Sequence, residues 1–417
     1  MDSKIFAESG SRLMRRLDAL AHFSSETDAL TRLYLTPEHR AAADTVAAWM
    51  RTAGMAAHMD AAGTVIGRYE GAAPGAPALL VGSHIDTVRN GGKYDGNLGV
   101  LAAIEAVDAL HQAGARRRFA IEVLAFGDEE GVRFPVTLTG SRALAGLFHN
   151  TALQVKDAND VTLCAALEDF GLEPASIRTL ARARGDVLGY VELHIEQGPV
   201  LEAANLPVGI VTAISGASRF VVTVEGAAGH AGTVPMTLRK DALAAAAELA
   251  LAVESCAVKT PELVATVGQI SAKPGAVNVI AGRAEFSLDI RSARDAVRHA
   301  AIARLTAALD SIAARRGVTL TLRKYYDEAA AVCDPDLSHA LSQSVARQQL
   351  ATLSLPSGAG HDGLAMQALC PIAMLFVRCT GGVSHSPAEA ITAADAAVAV
   401  AVLTDFLRSY AADPVRS

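Results

Sequence analysis

No CxxC pair occurs in this sequence. Its five cysteines, Cys164, Cys256, Cys333, Cys370 and Cys379, are scattered through 417 residues. An odd, sparse set of this kind excludes a disulfide framework and predicts reduced thiols in a cytoplasmic protein. No apolar run reaches the length that a membrane-spanning helix needs. The Ala-rich run ALAAAAELALAVE is interrupted by acids and predicts a packed helix instead. The N-terminal stretch MDSKIFAESGSRLMRRLDAL carries charges throughout, which excludes a signal peptide and predicts an amphipathic helix. An excess of positive charge is also missing. The net charge of -7 points away from nucleic acid and anionic membranes as partners. Internal repeats and low-complexity segments are absent.

What is present is a globular composition, 51% hydrophobic and 19% charged, long enough for two or three domains. Apolar strand-like runs alternate with helical ones. PALLVG leads through a Gly-rich loop to the helical LGVLAAIEAVDALHQAG, and FAIEVLAF follows. A loop, a long polar helical region from about Ser141 to Arg184, and the strand GYVELHIEQG come next. Continuous apolar strands in a βαβ rhythm predict a mostly parallel sheet covered on both faces. The texture changes near Thr212. RFVVTVEG alternates like a half-exposed strand, a helix runs from about Arg239, and VATVGQI and VNVIAGRAEFSLDIR read as antiparallel strands. A second helix, AVRHAAIARLTAALDSIAARRG, and the strand VTLTLRKYY complete a βαββαβ order, that of a ferredoxin-like α+β domain. The predicted organisation is a large α/β domain over 1–211 and 327–417 with a small domain, 212–326, inserted in it.

The stretch FGDEEG sets three acids at the end of a buried-looking strand. Carboxylates packed together repel, and each resists burial unless a cation, a hydrogen bond or a proton compensates it. The same edge of the sheet collects more such groups. SHIDTV follows ALLVG with His84 and Asp86, and the next loop, NGGKYDGNLG, brings Asp95. Asp128, Glu129 and Glu130 follow IEVLAF; His194 and Glu196 follow YVEL; His385 lies in CTGGVSHSPAE after IAMLFV. Ligands of open α/β sheets bind beyond the carboxyl ends of the strands. Taken singly, DEE reads as a surface turn and each histidine as a solvated residue. Together, imidazoles and carboxylates delivered by four strands predict a site for zinc, manganese, nickel or cobalt.

The segments GSHIDTVRNGGKYDGNLGVLAAIEA, FGDEEGVRF, ELHIEQGPVLE, GHAGTVPM and GGVSHSPAE resemble the M20-type dinuclear metallohydrolases, in matching order over nearly the whole chain. HIEQG, with His194 where related aminopeptidases carry an aspartate, is similar to the hydantoinase/carbamoylase subfamily. That subfamily includes allantoate amidohydrolases, N-carbamoyl-L-amino acid hydrolases and β-ureidopropionases. The resemblance implies two divalent cations per subunit. His84 and His194 would bind one, Glu130 and His385 the other, and Asp95 would bridge them. Glu129 would be the general base, and Asp86 would orient His84. It further implies that Gln197 contacts a carbamoyl group, that His230 and Asn278 face the developing oxyanion, and that Arg291 grips the substrate carboxylate. SGAGHDGLAMQAL, with His361, would line the substrate pocket. From the residues alone, Asn278 also reads as a turn residue, Arg291 as a surface charge and Asp362 as a helix cap. Arg219 and Lys273 have no assigned role.

The implied activity is hydrolysis of the ureido (N-carbamoyl) C–N bond of a small carboxylate, allantoate or an N-carbamoyl-L-amino acid, with release of ammonia and carbon dioxide. The alternative on the same fold is a metallopeptidase or an N-acyl-amino-acid deacylase. A homodimer through the inserted domain is implied by the resemblance alone, as is a reach of His230 into the partner's site.

Overall fold

A computed structural model describes residues 3–411. The chain divides into two compact units. The larger comprises Met1–Thr212, Val332–Leu355 and His361–Ser417; the smaller comprises Ala213–Ala331 and Pro356–Gly360.

The large unit is built on a mixed sheet. Four central strands, Ala120–Phe126, Ala78–His84, Val187–Ile195 and Ile372–Val377, lie parallel in that order. Every residue of Ala78–His84, Ala120–Phe126 and Ile372–Val377 is buried, the pattern of parallel strands covered on both faces. Antiparallel strands flank this core. Val65–Tyr69 and Ala56–Met59 extend one side, and Val208–Ile214 pairs with Ile372–Val377 on the other. Helices Ser3–Ala21, Asn97–Gln112 and Ala393–Ser409 pack on one another and share one core with the sheet. At Gly99 that packing is close enough that a Cβ would lie 2.0 Å from the Leu193 carbonyl oxygen, so no other residue fits. The segment expected as a long helical region around 141–184 is instead a series of short turns, among them Thr139–Leu144, Asn150–Gln154, Leu163–Asp169 and Pro174–Leu180. Glycines at positive φ (Gly146, Gly171) and Pro174 interrupt it, and Phe134, Leu163, Leu167 and Ile177 give it a small core of its own.

The small unit is an antiparallel sheet in the order Ile270–Lys273, Arg283–Ser292, Gly216–Glu225, Thr319–Glu328. Leu263–Thr266 also pairs with Arg283–Ser292. Helices Ala242–Val258 and Asp295–Arg316 cover one face. The chain order is βαββαβ, with the second strand broken in two at Val267–Gln269. Strict alternation in Arg283–Ser292 buries Ala284, Phe286, Leu288 and Ile290 and leaves Glu285, Ser287, Asp289 and Arg291 on the opposite face. A separate two-stranded ribbon joins Gly229–His230 to Val279–Ile280. Among the described residues, no helix is long and apolar enough to cross a membrane.

Candidate metal centre

Histidines and acids meet where the parallel strands of the large unit end. His84 closes its strand, His194 is the penultimate residue of the neighbouring one, and Glu129 and Glu130 follow Phe126. Asp95 lies just before the helix that starts at Asn97. Gly96, at φ +64°, makes that junction possible, because a Cβ there would lie 2.4 Å from the His84 ring.

The donor atoms converge on Asp95, which is 4% exposed. Its Oδ1 lies 3.1 Å from His194 Nε2 and 3.4 Å from His84 Nε2. Its Oδ2 lies 3.3 Å from His385 Nε2, which is 3.9 Å from Glu130 Oε2. One carboxylate thus faces two histidines with one oxygen and a third with the other. Three groups have the spacing to hold an ion: His84–Asp95–His194, Asp95–Glu130–His385 and His84–Glu129–Glu130. The first two share Asp95, as a bridging ligand requires.

The ring orientations fit the same chemistry. His84 Nδ1 is 3.1 Å from the Asp86 carbonyl and His194 Nδ1 is 2.9 Å from that of Ile195. In the neutral ring, an N–H donated to a carbonyl fixes the tautomer that turns the Nε2 lone pair toward Asp95, and that of His194 also accepts the Gly96 backbone N–H at 3.1 Å. The Asp86 carboxylate is 3.5 Å from His84 Nδ1, and its two oxygens accept the backbone N–H groups of Glu129 and Glu130 at 3.1 and 3.2 Å. Asp86 therefore holds the loop that carries the acids.

Charge balance inside the cluster is incomplete. Among the described residues, the ion pairs of Asp95, Glu129 and Glu130 are with histidines alone. Burial pushes Glu129 well above the usual carboxyl range, against the pull of His84. Burial, and then the charge of Asp95, pushes Glu130 up to about 7. Burial works against Asp95 as well, but His194, with His385 and His84, holds it well below its ordinary value. Glu130 Oε1 and Gln197 Oε1 are buried without a hydrogen-bond partner. Buried acids short of positive charge, beside imidazoles with a bare nitrogen, make a donor set suited to divalent cations.

The backbone is strained here. Asp128, Gln197 and His385 all have positive φ, +66°, +57° and +54°. Non-glycine residues persist in that conformation only where the surroundings enforce it, and such positions cluster at functional sites. Asp128 is fully buried, and the Thr139 hydroxyl donates to its carboxylate. The Gln197 amide donates to Asp95 Oδ2 at 2.8 Å, and its nitrogen stands 3.4 Å from His385 Nε2. His361 is buried with its ring 4.5 Å from that of His194. Burial, and then the charge of His194, holds its pKa well below the usual imidazole value, which keeps it neutral.

Two neighbours escaped sequence reasoning. Glu389 Oε1 accepts the backbone N–H groups of Tyr94 and Asp95 at 2.9 and 3.0 Å. Ser384 Oγ stands 2.9 Å from Asp95 Oδ2 and 3.0 Å from Glu389 Oε2. Together they tie the Asp95 loop to the His385 loop. Both lie within the segment GGVSHSPAE, and that proximity to His385 was the available signal.

The remaining sequence-derived candidates are in the small unit. His230 and Asn278 are neighbours at the two-stranded ribbon, where Val279 pairs with His230 and Ala231 N donates to the Asn278 carbonyl at 2.9 Å. Arg291 is on the five-stranded sheet.

Residues 80–409 match the family described as peptidase family M20/M25/M40. The chain is 45% identical to the N-carbamoyl-L-amino acid amidohydrolase of Geobacillus stearothermophilus, over 94% of this chain and 97% of that one. It is 40% identical to allantoate deiminase 1 of Glycine max, over 94% of this chain and 88% of that one. Among solved structures, an amidase of the hydantoinase/carbamoylase family from Burkholderia multivorans superposes with a TM-score of 0.91 at 32% identity, covering 97% of this chain and 98% of that one. The chain belongs to peptidase family M20/M25/M40 and, within it, to the hydantoinase/carbamoylase hydrolases, which act on C–N bonds other than peptide bonds.

Proposed function

We propose that this protein cleaves the ureido C–N bond of a small carboxylate, allantoate or an N-carbamoyl-L-amino acid, and that ammonia and carbon dioxide result. The observation that carries the reading is the Asp95-centred pair of donor groups with Glu129 beside it and the Gln197 amide against it. The names of the relatives support the substrate class.

In this reading His84, His194 and Asp95 hold one cation, and Asp95, Glu130 and His385 the other, with zinc, manganese, nickel and cobalt all suited to the ligands. When bound, the two cations neutralise the acids, polarise the scissile carbonyl and lower the pKa of water. Glu129 accepts the proton of the attacking water and returns one to the leaving nitrogen. Asp86 fixes Glu129 through its backbone N–H. Gln197 recognises the carbamoyl group, His230 and Asn278 donate to the oxyanion, Arg291 binds the carboxylate, and neutral His361 lines the pocket. The proposal extends to a cytoplasmic homodimer formed through the small unit.

The test is ammonia release by purified, metal-loaded protein. The panel is allantoate, N-carbamoyl-β-alanine, several N-carbamoyl-L-amino acids, a dipeptide and an N-acetyl amino acid, with amine detection for the last two. Turnover confined to ureido acids is expected. Activity only on the dipeptide or the acetyl compound would overturn the substrate assignment, the role of Gln197 included.

A further inference from the structure

The outer face of the small unit's five-stranded sheet carries, beside Arg291, two charges that the mechanism above leaves unused, Asp289 and Arg219. Asp289 and Arg219 stand directly opposite each other on neighbouring antiparallel strands, and Arg291 lies two residues from Asp289 on the same face. Arg219 Nε donates to Asp289 Oδ2 at 3.0 Å. Arg291 holds the same carboxylate twice, Nε to Oδ1 at 2.8 Å and Nη2 to Oδ2 at 3.0 Å. Arg291 Nη1 donates to the Gly358 carbonyl at 2.8 Å. The Arg219 guanidinium lies 4.7 Å from the centre of the Tyr326 ring. An irregularity in the pairing between Lys324 and Tyr326 inserts Tyr325 there, the kind of bulge that re-aims side chains beside functional sites. Burial disfavours the Asp289 carboxylate, but Arg291 and Arg219 outweigh it and hold its pKa below the ordinary value.

These groups line an open hollow of about 550 Å³, where Tyr325, Ser287 and Thr266 join them. The charged side chains of its lining are Arg219, Asp289 and Arg291. Two guanidiniums against one carboxylate leave a single positive charge. A guanidinium has five N–H donors, and the three bonds above leave Arg291 with one on each terminal nitrogen. That pair fits one more carboxylate in bidentate fashion.

We propose that Asp289, clasped between Arg219 and Arg291, sets this hollow to accept substrates with one carboxylate and to reject those with two. The proposal rests on the reading of Arg291 as the carboxylate clamp. Asp289 acts in two ways. It holds the Arg291 fork in one orientation, so less side-chain freedom is lost when the substrate binds. It also cancels one of two cations, so a second substrate carboxylate finds no net positive charge left to balance it and meets a like charge. With asparagine at 289 the hollow carries two cations, which suits a dianion.

The experiment compares kcat and KM for N-carbamoyl-L-methionine with those for N-carbamoyl-L-aspartate and N-carbamoyl-L-glutamate on the metal-loaded enzyme. Asp289→Asn is expected to move the kcat/KM ratio toward the dianions by about tenfold, the scale of one unit charge about 4 Å away in an open hollow whose dielectric is close to that of water. The change should lie mainly in KM and shrink as ionic strength rises, which a merely structural role would not produce. Asp289→Glu should recover part of the wild-type ratio. Arg219→Gln should move it the opposite way, and it decides the question if Asp289→Asn does not fold. If only allantoate turns over, the same ratio is read from the inhibition constants of the three N-carbamoyl acids. A ratio unmoved by either substitution overturns the proposal, as does an absence of both turnover and inhibition. Arg291→Lys separates the two levels. If it weakens carboxylate substrates no more than an uncharged carbamoyl amide, the clamp reading fails and the proposal with it. If it weakens them selectively while Asp289→Asn leaves the ratio unchanged, only the role of Asp289 is lost.

Discussion

Both units hold a tight cluster of charged side chains, and the two clusters are balanced in opposite ways. Around Asp95, the ion pairs of the carboxylates are, among the described residues, with imidazoles alone, and Glu130 Oε1 has no hydrogen-bond partner. Around Asp289, the carboxylate is saturated by permanent cations, and an arginine is left with donors to spare. An imidazole can turn a bare nitrogen toward a metal, whereas a guanidinium only donates. The first cluster is therefore short of positive charge, and the second is short of negative charge. Composition alone does not separate them; burial and the kind of partner do.

The largest effect is expected at Glu129. Glu129→Gln should keep its metal content and lower kcat by about two to four orders of magnitude, the usual contribution of general base catalysis. Metal analysis and steady-state kinetics check this together, and near-normal turnover would remove Glu129 from the mechanism.

Metal removal probes the imbalance directly. Where free metal stands at about 1,000 times its Kd, chelation should cost about 4 kcal/mol of stability, read by urea unfolding. His385→Ala should lower the metal content by one ion per chain. The pH dependence has a definite sign. Glu130 rises from its ordinary 4.5 to about 7 in the folded, metal-free protein, so folding favours its protonated form. That contribution is present below about 4.5 and is lost as pH climbs through about 7. Chelated protein should thus be less stable at pH 8 than at pH 5, and metal should restore more at pH 8. Equal stability at both values would mean that the acids are balanced from within the chain.

The smallest effect compares the two aspartates. Asp86 is 2% exposed and accepts two backbone N–H groups, so Asp86→Ala should cost about 2–4 kcal/mol through unsatisfied donors. The Asp289 side chain is 28% exposed, and exposed ion pairs contribute under about 1 kcal/mol, so Asp289→Ala should leave the unfolding midpoint nearly in place. A large loss at Asp289 would make that cluster a structural element of the fold.

The parallel core was legible because its strands are unbroken apolar runs, and the small unit's sheet because Arg283–Ser292 alternates strictly. The hairpin Ala56–Tyr69 was not, since strands of four and five residues carry too few positions for a period. The broken second strand of the small unit was hidden too, because Leu263–Thr266 and Ile270–Lys273 run almost without interruption in sequence. In the site, residues that supply a donor atom from a strand end announced themselves by type and position. Glu389 did not, because it acts through the backbone of Tyr94 and Asp95, almost 300 residues away, and such pairing leaves no local mark. Asp128 was visible as an acid but not as a fully buried one at φ +66°.

The chain leaves the large sheet after Ile214 and rejoins it at Ala331–Val332, and close to both ends Cys333 N donates to the Thr212 carbonyl at 3.0 Å. The excursion 213–331, which holds all of the small unit except Pro356–Gly360, is thus a loop with its ends already fastened together. Closing so long a loop adds entropy cost only logarithmically. The segment can be regarded as an exchangeable cassette. A foreign counterpart spliced at these two joints would bring a different set of surface charges, while the strands that deliver His84, His194 and Glu130 stay untouched.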